Sequence, residues 1–328
     1  MSHCPKVSVI MPVYNAADYL PAALESVLGP TLQEIELMAI NDGSTDTSLA
    51  ILQNTTDARL RVITRENRGV GPTRNEGIAA ATGEFIYFLD PDDRIGSPDT
   101  LELLYTKARE HEVDICGGSL CRIYDDRVDA AVLPGLEKQH FTTEGLESYA
   151  NYQYHYGFYR FIYKRSMLVE QDITFPPLCR YQDPPFMVRA MLAAGKFYAV
   201  PQVTYAYRKE HRQLKWQQRH TNALFAGLAE VWQLAVKNSM SMLQQEVHSN
   251  LCDHFSRTRK HLTARHNAFI RQVESATLQC TLTPLLEPGN RLLRFLKKLF
   301  VKKTATRTSY RFLGIPLWSR IARSSRTT

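Results

Sequence analysis

The sequence predicts an α/β fold, with a mostly parallel sheet followed by a helical C-terminal extension. Three observations predict it. Over the first 120 residues, short β-rich runs alternate with segments of helical period, the pattern of right-handed βαβ units. A cluster of polar turn residues follows each of the first four runs. From Gln218 to Gln279 the period is helical, with few Gly or Pro.

Taken in order, the expected strands are Val7–Val13, Ile35–Ile40, Leu60–Thr64, Glu84–Leu89 and Val113–Gly117. Between them the expected helices are Ala17–Leu28, Thr45–Gln53, Gly71–Ala81 and Ser97–Glu110. Ser97 reads as an N-cap with Pro98 at the first helical position, and Pro72 can open the third helix in the same way. Residues 141–215 change character. Tyr and Phe are dense from Tyr149 to Tyr163, and a Pro-rich stretch follows at Phe175–Phe186. A helix is expected at Pro185–Ala194 and a strand pair near Phe197–Tyr207, an α+β half completing the same domain. The expected organisation is a domain over 1–215, a helical extension over 216–284 and a basic tail over 285–328, opened by Pro284, Pro288 and Gly289.

Composition narrows the class. The 328 residues are 44% hydrophobic and 22% charged, which excludes disordered and collagen-like chains. The net charge of +7 is unevenly placed. Residues 285–328 carry four Lys and seven Arg against Glu287 alone, a net of +10, which leaves −3 for the rest. An acidic body argues against a nucleic-acid coat over the whole protein. Six cysteines are scattered without C-x-x-C pairs, so free thiols in a reducing compartment are expected and zinc is not. Val7–Met11 is too short an apolar run for a signal peptide, and no stretch is long enough to span a membrane. A cytoplasmic location is expected.

The chemistry gathers after the first four strands. The turns read Pro12-Val13-Tyr14-Asn15, then Asn41-Asp42-Gly43-Ser44-Thr45-Asp46, then Asn67-Arg68-Gly69 leading to Arg74-Asn75, and finally Asp90-Pro91-Asp92-Asp93. In parallel sheets, ligands bind at the carboxyl ends of the strands, so four such turns on one edge describe a built site. The D-x-D turn sets like charges close together, an arrangement that a cation relieves. All-oxygen ligands suit Mg²⁺ or Mn²⁺ bridging to substrate phosphates. The bland reading of each acid is a turn or a helix cap.

Taken together, V-S-V-I-M-P-V-Y-N, N-D-G-S-T-D and R-N-E-G-I-A-A-A-T-G-E-F-I-Y-F-L-D-P-D-D, in this order over residues 5–95, resemble glycosyltransferase family 2. Residues 140–210 match more loosely. The tail from Gly289, with Arg311–Leu317, resembles C-terminal extensions of bacterial surface-polysaccharide transferases. The resemblance implies the GT-A fold and a set of roles. Pro12 and Tyr14 would lie against the nucleotide base, and Asp42 would accept a hydrogen bond from it, which favours uracil. Arg74 would stand near the nucleotide or the sugar. Asp90 and Asp92 would form the D-x-D pair, contacting sugar hydroxyls and the metal, Mg²⁺ or Mn²⁺. Asn41 replaces the first acid of the family's D-D-G-S-x-D.

The resemblance also implies a general base for the acceptor hydroxyl, the Asp of an E-D pair. Here that position is Asp183, with Gln182 in place of Glu, inside Arg180-Tyr181-Gln182-Asp183-Pro184-Pro185-Phe186. A single base with direct displacement inverts the anomeric configuration. After the last expected strand, Tyr207-Arg208 and His211-Arg212 could clamp the leaving diphosphate. The run Tyr152, Tyr154, His155, Tyr156, Phe158, Tyr159 reads as core more than as a sugar platform. Residues 290–303 place Leu292, Phe295, Leu296, Leu299 and Phe300 on one helical side with Arg and Lys around them, the pattern of an interfacial helix on anionic lipid. The function expected is transfer of a hexose-type sugar from a UDP-sugar to a growing lipopolysaccharide core, O-antigen or capsule. The acceptor would be lipid-linked or lipopolysaccharide glycan, at the cytoplasmic face of the inner membrane. The alternatives are a non-catalytic nucleotide or glycan binder and a basic nucleic-acid-binding protein.

Overall fold

The computed structural model describes residues 4–29, 31–124, 127–129, 137–208 and 215–277, with three further short strands between 302 and 318 as backbone only. The described chain falls into two compact units, Met1–Leu262 and Thr263–Thr328.

The first unit is built on a sheet whose amino-terminal half alternates strand and helix. It contains β1 (Val7–Val13), α1 (Leu20–Leu28), β2 (Ile35–Asp42), α2 (Ser48–Asn54), β3 (Leu60–Arg65), α3 (Val70–Ala80) and β4 (Phe85–Phe88). These strands run parallel in the order β3-β2-β1-β4. All seven residues of β1 are buried, because helices cover both faces of a parallel sheet. Val7, Val9, Met11 and Val13 join Leu20, Leu24 and Val27 of α1 in the core on one face. On the other face α3 comes so close that a Cβ on Gly77 would stand 2.5 Å from Ile10 Cγ2. Pro12, which has no N–H, is tolerated in this central strand because pairing with β4 ends at Ile10↔Phe88.

The second half is mixed. After β5 (Arg94–Ile95) and α4 (Thr100–Glu110) come β6 (Ile115–Tyr124), β7 (Arg127–Asp129), β8 (Gly145–Ser148) and the single turn α5 (Tyr149–Tyr152). Then follow β9 (Phe161–Lys164), α6 (Arg165–Glu170), α7 (Asp183–Ala194) and β10 (Lys196–Arg208). Strand β9 inserts antiparallel between β4 and β6, and β10 runs parallel to β6. The expected strand pair near Phe197–Tyr207 is one long strand with a slipped register between Ala199 and Tyr205. Pro201 lies in that irregular stretch, where a missing N–H is not needed. Helix α4 opens at Thr100, not at Ser97. Ser97 Oγ instead donates to Asp99 Oδ1 at 2.5 Å, a local bond that competes with the helix.

The aromatic run is core, as its density suggested. Phe88 meets Phe158, Tyr163, Phe175 and Phe186, and the last two rings stack 3.9 Å apart. His155 is fully buried, and desolvation with the nearby Lys138 charge pushes its pKa down to about 3. This cluster anchors the 171–183 loop and α7. Helices α8 (Gln218–Lys237) and α9 (Ser241–Thr258) complete the first unit.

The second unit contains α10 (Ala264–Thr277) and three antiparallel strands, β11 (Lys302–Thr304), β12 (Arg307–Phe312) and β13 (Ile315–Trp318). Residues 290–301 of the expected interfacial helix lie outside the described residues. Its last two positions, Lys302 and Lys303, are strand and not helix, in a run where Thr304 and Thr308 favour extended backbone. No described helix is long and apolar enough to cross a membrane.

Candidate active site

Each parallel strand hands a loop to the same edge of the sheet, and the loops lock to one another. Asn15, held at φ 50, accepts on Oδ1 from Thr45 N at 2.8 Å. Ser48 Oγ accepts from Ala16 N at 2.9 Å, and Asp46 accepts from Ser48 N and Ala17 N. Asp46 therefore caps and staples, and contributes nothing to the cavity wall. Gly43 carries φ +73, and a Cβ there would also stand 2.8 Å from Asn67 N. Asp42 ties the second loop to the third. Its Oδ1 accepts from Arg65 Nε at 3.1 Å and Arg68 N at 2.9 Å, and its Oδ2 accepts from Gly69 N at 2.8 Å. Three of the carboxylate's roughly four acceptor positions are thus used inside the chain.

These loops enclose a cavity of about 660 Å³. Its wall holds Pro12, Tyr14, Asp42, Arg74, Asp90, Asp92 and Asp183, drawn from β1, β2, α3, the turn after β4 and the start of α7. Seven of the eight residues singled out in the sequence meet here. Tyr14 is 51% exposed, so it is not a core residue and offers a free aromatic face. Arg74 is buried. Its Nη2 donates to Asp90 Oδ1 at 2.5 Å, and its guanidinium lies over Phe158 and Phe175 at 4.7 and 5.2 Å. The eighth residue, Arg208, stands one layer back. Its Nε donates to the Asp92 carbonyl at 2.9 Å, and its guanidinium covers the Tyr19 ring at 4.9 Å. His211 and Arg212 lie outside the described residues.

The acids of the Asp90–Asp93 turn differ in environment. Asp93 is 2% exposed and accepts from Tyr205 Oη and Arg208 N, both at 2.6 Å, which ties the turn to β10. Burial, with Asp92 and Asp90 beside it, holds its carboxyl well above the usual range. Asp90 and Asp92 face the cavity. Among the described residues no three His, Cys, Asp or Glu side chains form a metal-holding group. Two carboxylates with the rest of the shell left to phosphate oxygens and water is the way Mg²⁺ is commonly bound, so this donor set fits the expected ion.

Asp183 opens α7 across the cavity. It is half-buried and accepts no hydrogen bond from another described residue. Desolvation raises its pKa, opposed by Arg74 and its own N–H and reinforced by Asp90. The turn before it is strained, with Tyr181 at φ 60. A Cβ on Gly227 of α8 would stand 2.5 Å from the Tyr181 carbonyl oxygen, so the helix presses directly on this turn. Sequence reasoning gave no role to Tyr19, Cys179, Arg180, Arg219 or His220, which also line the cavity. Arg180 lies inside the motif already read, whereas Arg219 and His220 sit in a helical stretch with no local signature.

The fold is that of the GT-A class. A family model, glycosyl transferase family 2, matches residues 8–169. EpsJ of Bacillus subtilis (strain 168), an uncharacterised glycosyltransferase, is 31% identical over 220 residues, covering 64% of this chain and 63% of that protein. EpsH of the same strain is 34% identical over 239 residues, covering 69% and 67%. The chain thus spans less than two thirds of the length of EpsJ. A crystal structure of S. aureus TarS 1-349 in complex with UDP-GlcNAc superposes with a TM-score of 0.65 at 22% identity, covering 86% of each chain. This chain belongs to glycosyltransferase family 2.

Proposed function

We propose that this protein transfers a hexose-type sugar from a UDP-sugar to a growing bacterial surface glycan, with inversion and with Asp183 as general base. The observation that carries the reading is the position of Asp183. Its carboxylate accepts no hydrogen bond from another described residue, has a raised pKa, and faces the cavity that also holds Tyr14, Asp42, Arg74 and the D-x-D acids. Tyr14 offers its face to the uracil ring and Asp42 its remaining acceptor position. Arg74 holds Asp90 in place and brings positive charge to the sugar–phosphate end. The acceptor oxygen bonds to the anomeric carbon as the bond to the UDP oxygen breaks, and its proton passes to Asp183. A Mg²⁺ or Mn²⁺ held by Asp90 and Asp92 would supply Lewis-acid stabilisation of the leaving diphosphate. The UDP-GlcNAc bound in the TarS crystal structure supports the donor class.

The basic residues of 290–303 would hold the protein on the cytoplasmic face of the inner membrane, where lipid-linked or lipopolysaccharide acceptors lie. UDP release from a panel of UDP-sugars, with a glycan acceptor and Mn²⁺, tests the central reading. Asp183→Asn should lose about 10²–10⁴-fold in kcat, the range of general-base catalysis, and keep its UDP affinity. Turnover by Asp183→Asn at the wild-type rate would remove the base. Binding of UDP with no turnover of any donor would leave only a nucleotide binder.

A further inference from the structure

We infer that His254 of α9 is a positioning residue for the transfer step, holding the turn that carries Asp183 through a hydrogen bond to Tyr181 and a ring cluster completed by Trp216. This rests on the transferase reading above, and it makes the helical segment after the sheet a working part of the active site. The turn needs such a hold. Among the described residues no backbone N–H from Cys179 to Gln182 donates to a backbone carbonyl, and Gln182 gives α7 no side-chain cap. Tyr181 stands at φ 60, a left-handed conformation that a bulky residue keeps only when its surroundings enforce it. A relaxed turn would carry Asp183, two residues on, away from its place. The restraints come from α8 and α9. Cys179 Sγ donates to the Arg219 carbonyl at 3.7 Å, Gly227 fits closely against the Tyr181 carbonyl, and His254 meets the Tyr181 side chain.

Tyr181 Oη lies 3.3 Å from His254 Nε2, and the two rings meet edge to face, 5.4 Å apart at 78°. Burial pushes the Tyr181 phenol up to about 12, so it keeps its proton. Desolvation first, then Arg257 and Arg180 against Asp253, hold His254 toward the neutral form. The phenol is the stronger acid and the imidazole the stronger base, so Oη donates and Nε2 accepts. Trp216 stacks on His254 at 6.1 Å and 20°, and also meets Tyr181 at 6.5 Å. Its Nε1 donates to Thr221 Oγ1 at 2.8 Å, which ties the cluster to α8. The other nitrogen of His254, Nδ1, is buried with no hydrogen-bond partner. With Nε2 accepting, Nδ1 carries the N–H, and an unpaired buried donor is unfavourable. A phenylalanine would fill the same space without that penalty, so packing alone does not account for the imidazole, whereas the bond to Tyr181 does. The nucleotide wall stands apart from this cluster. Asp42 and Asp90 are held by bonds of their own, to Arg65, Arg68, Gly69 and Arg74.

The experiment compares wild type, His254→Phe, His254→Gln, Tyr181→Phe and the double Phe variant. Each is read by UDP release from the donor panel, calorimetric UDP binding, a thermal melt and amide exchange of residues 179–183. His254→Phe should lower kcat on the order of 10-fold or more, because a small displacement of a reacting group is enough to slow turnover, and should leave UDP affinity unchanged. Its Tm should equal or exceed that of wild type, since the unpaired N–H is gone; a merely structural residue would give the opposite sign. The 179–183 amides should exchange faster. His254→Gln sets an amide oxygen near the Nε2 position and should regain most of the lost kcat. Tyr181→Phe should resemble His254→Phe, and the double variant should fall no further, because each removes the same bond. Wild-type kcat in a folded His254→Phe protein overturns the inference. So does a His254→Gln protein as slow as His254→Phe, which would assign the effect to ring packing. A wild type that turns over no UDP-sugar defeats the transferase reading instead. The exchange of residues 179–183 then still decides whether His254 holds the turn, faster in His254→Phe if it does and unchanged if it does not.

Discussion

Gly227→Ala is the most searching single test of how the site is held. The substitution adds one methyl group on α8, outside the cavity wall, at a point where the Tyr181 carbonyl oxygen would lie 2.5 Å away. Ordinary contact begins near 3.4 Å, so the helix and the turn must separate by about 0.9 Å. Tyr181 is already at φ 60, two residues before Asp183, and has little freedom to yield without moving the base. A displacement of about 1 Å in a reacting group can lower turnover on the order of 10²-fold. The helix itself gains about 1 kcal/mol from Ala in place of Gly, which offsets part of an overpacking penalty of about 1–3 kcal/mol. The variant should therefore fold, with a Tm within several degrees of wild type. UDP affinity, set on the opposite wall, should not change. The assay is steady-state UDP release beside calorimetric UDP binding and a thermal melt. The expected result is a kcat lowered 10- to 100-fold with UDP binding and folding intact. Full turnover in a folded Gly227→Ala protein would refute the claim that α8 positions the catalytic turn.

Three further outcomes follow from the same geometry. Tyr14→Ala should raise the KM for the UDP-sugar on the order of 10-fold, through loss of base stacking, while stability changes by no more than about 0.5 kcal/mol; kinetics and a denaturant melt on one preparation check both. Asp42→Ala strands Arg65 Nε and the Arg68 and Gly69 amides, and should lower stability by about 1–3 kcal/mol while loosening the 65–69 loop, read by denaturant melts and amide exchange of that segment. The pH profile of kcat/KM should show an acid limb above the ordinary aspartate range. Asp183 must be ionised to accept the proton, burial raises its pKa, and activity is therefore lost as pH falls through that raised value. An acid limb near the unperturbed aspartate value would assign the limb to another group.

What the sequence made legible was local. Val7–Val13 is legible to the residue because six apolar positions, interrupted only by Ser8 and followed by a polar turn, form a short run that suits a buried strand. The four strand-end clusters were legible because parallel strands deliver successive loops to one edge. Ser97 misled because its side chain engages Asp99 and leaves the helix to begin at Thr100. The antiparallel insertion of β9 was not legible, since its partners Phe85 and Ile115 are remote in sequence. Arg219 and His220 escaped for the same reason, as only the folding of α8 brings them beside residues 179–183.

The resemblance gives Asp42, Asp90, Asp92 and Asp183 distinct roles, and the partners of the six acids Asp42, Asp46, Asp90, Asp92, Asp93 and Asp183 supply a physical basis for telling them apart. Asp46 spends its oxygens on the Ala17 and Ser48 amides, and Asp42 holds a loop with three bonds. Asp90 is committed on one side to Arg74 and keeps Oδ2 for a ligand. Two acids have pKa values raised by burial, Asp93 and Asp183, and a raised pKa is the usual mark of a proton-transfer group. Asp93 is disqualified by geometry. At 2% exposure, with both oxygens bonded to Tyr205 and Arg208, it cannot reach a substrate. Asp183 combines the raised pKa with an open approach from the cavity and accepts only from its own N–H. The proposal of Asp183 as base therefore draws on what each carboxylate has left to give as well as on its E-D-like position, and the spacing alone does not encode the former.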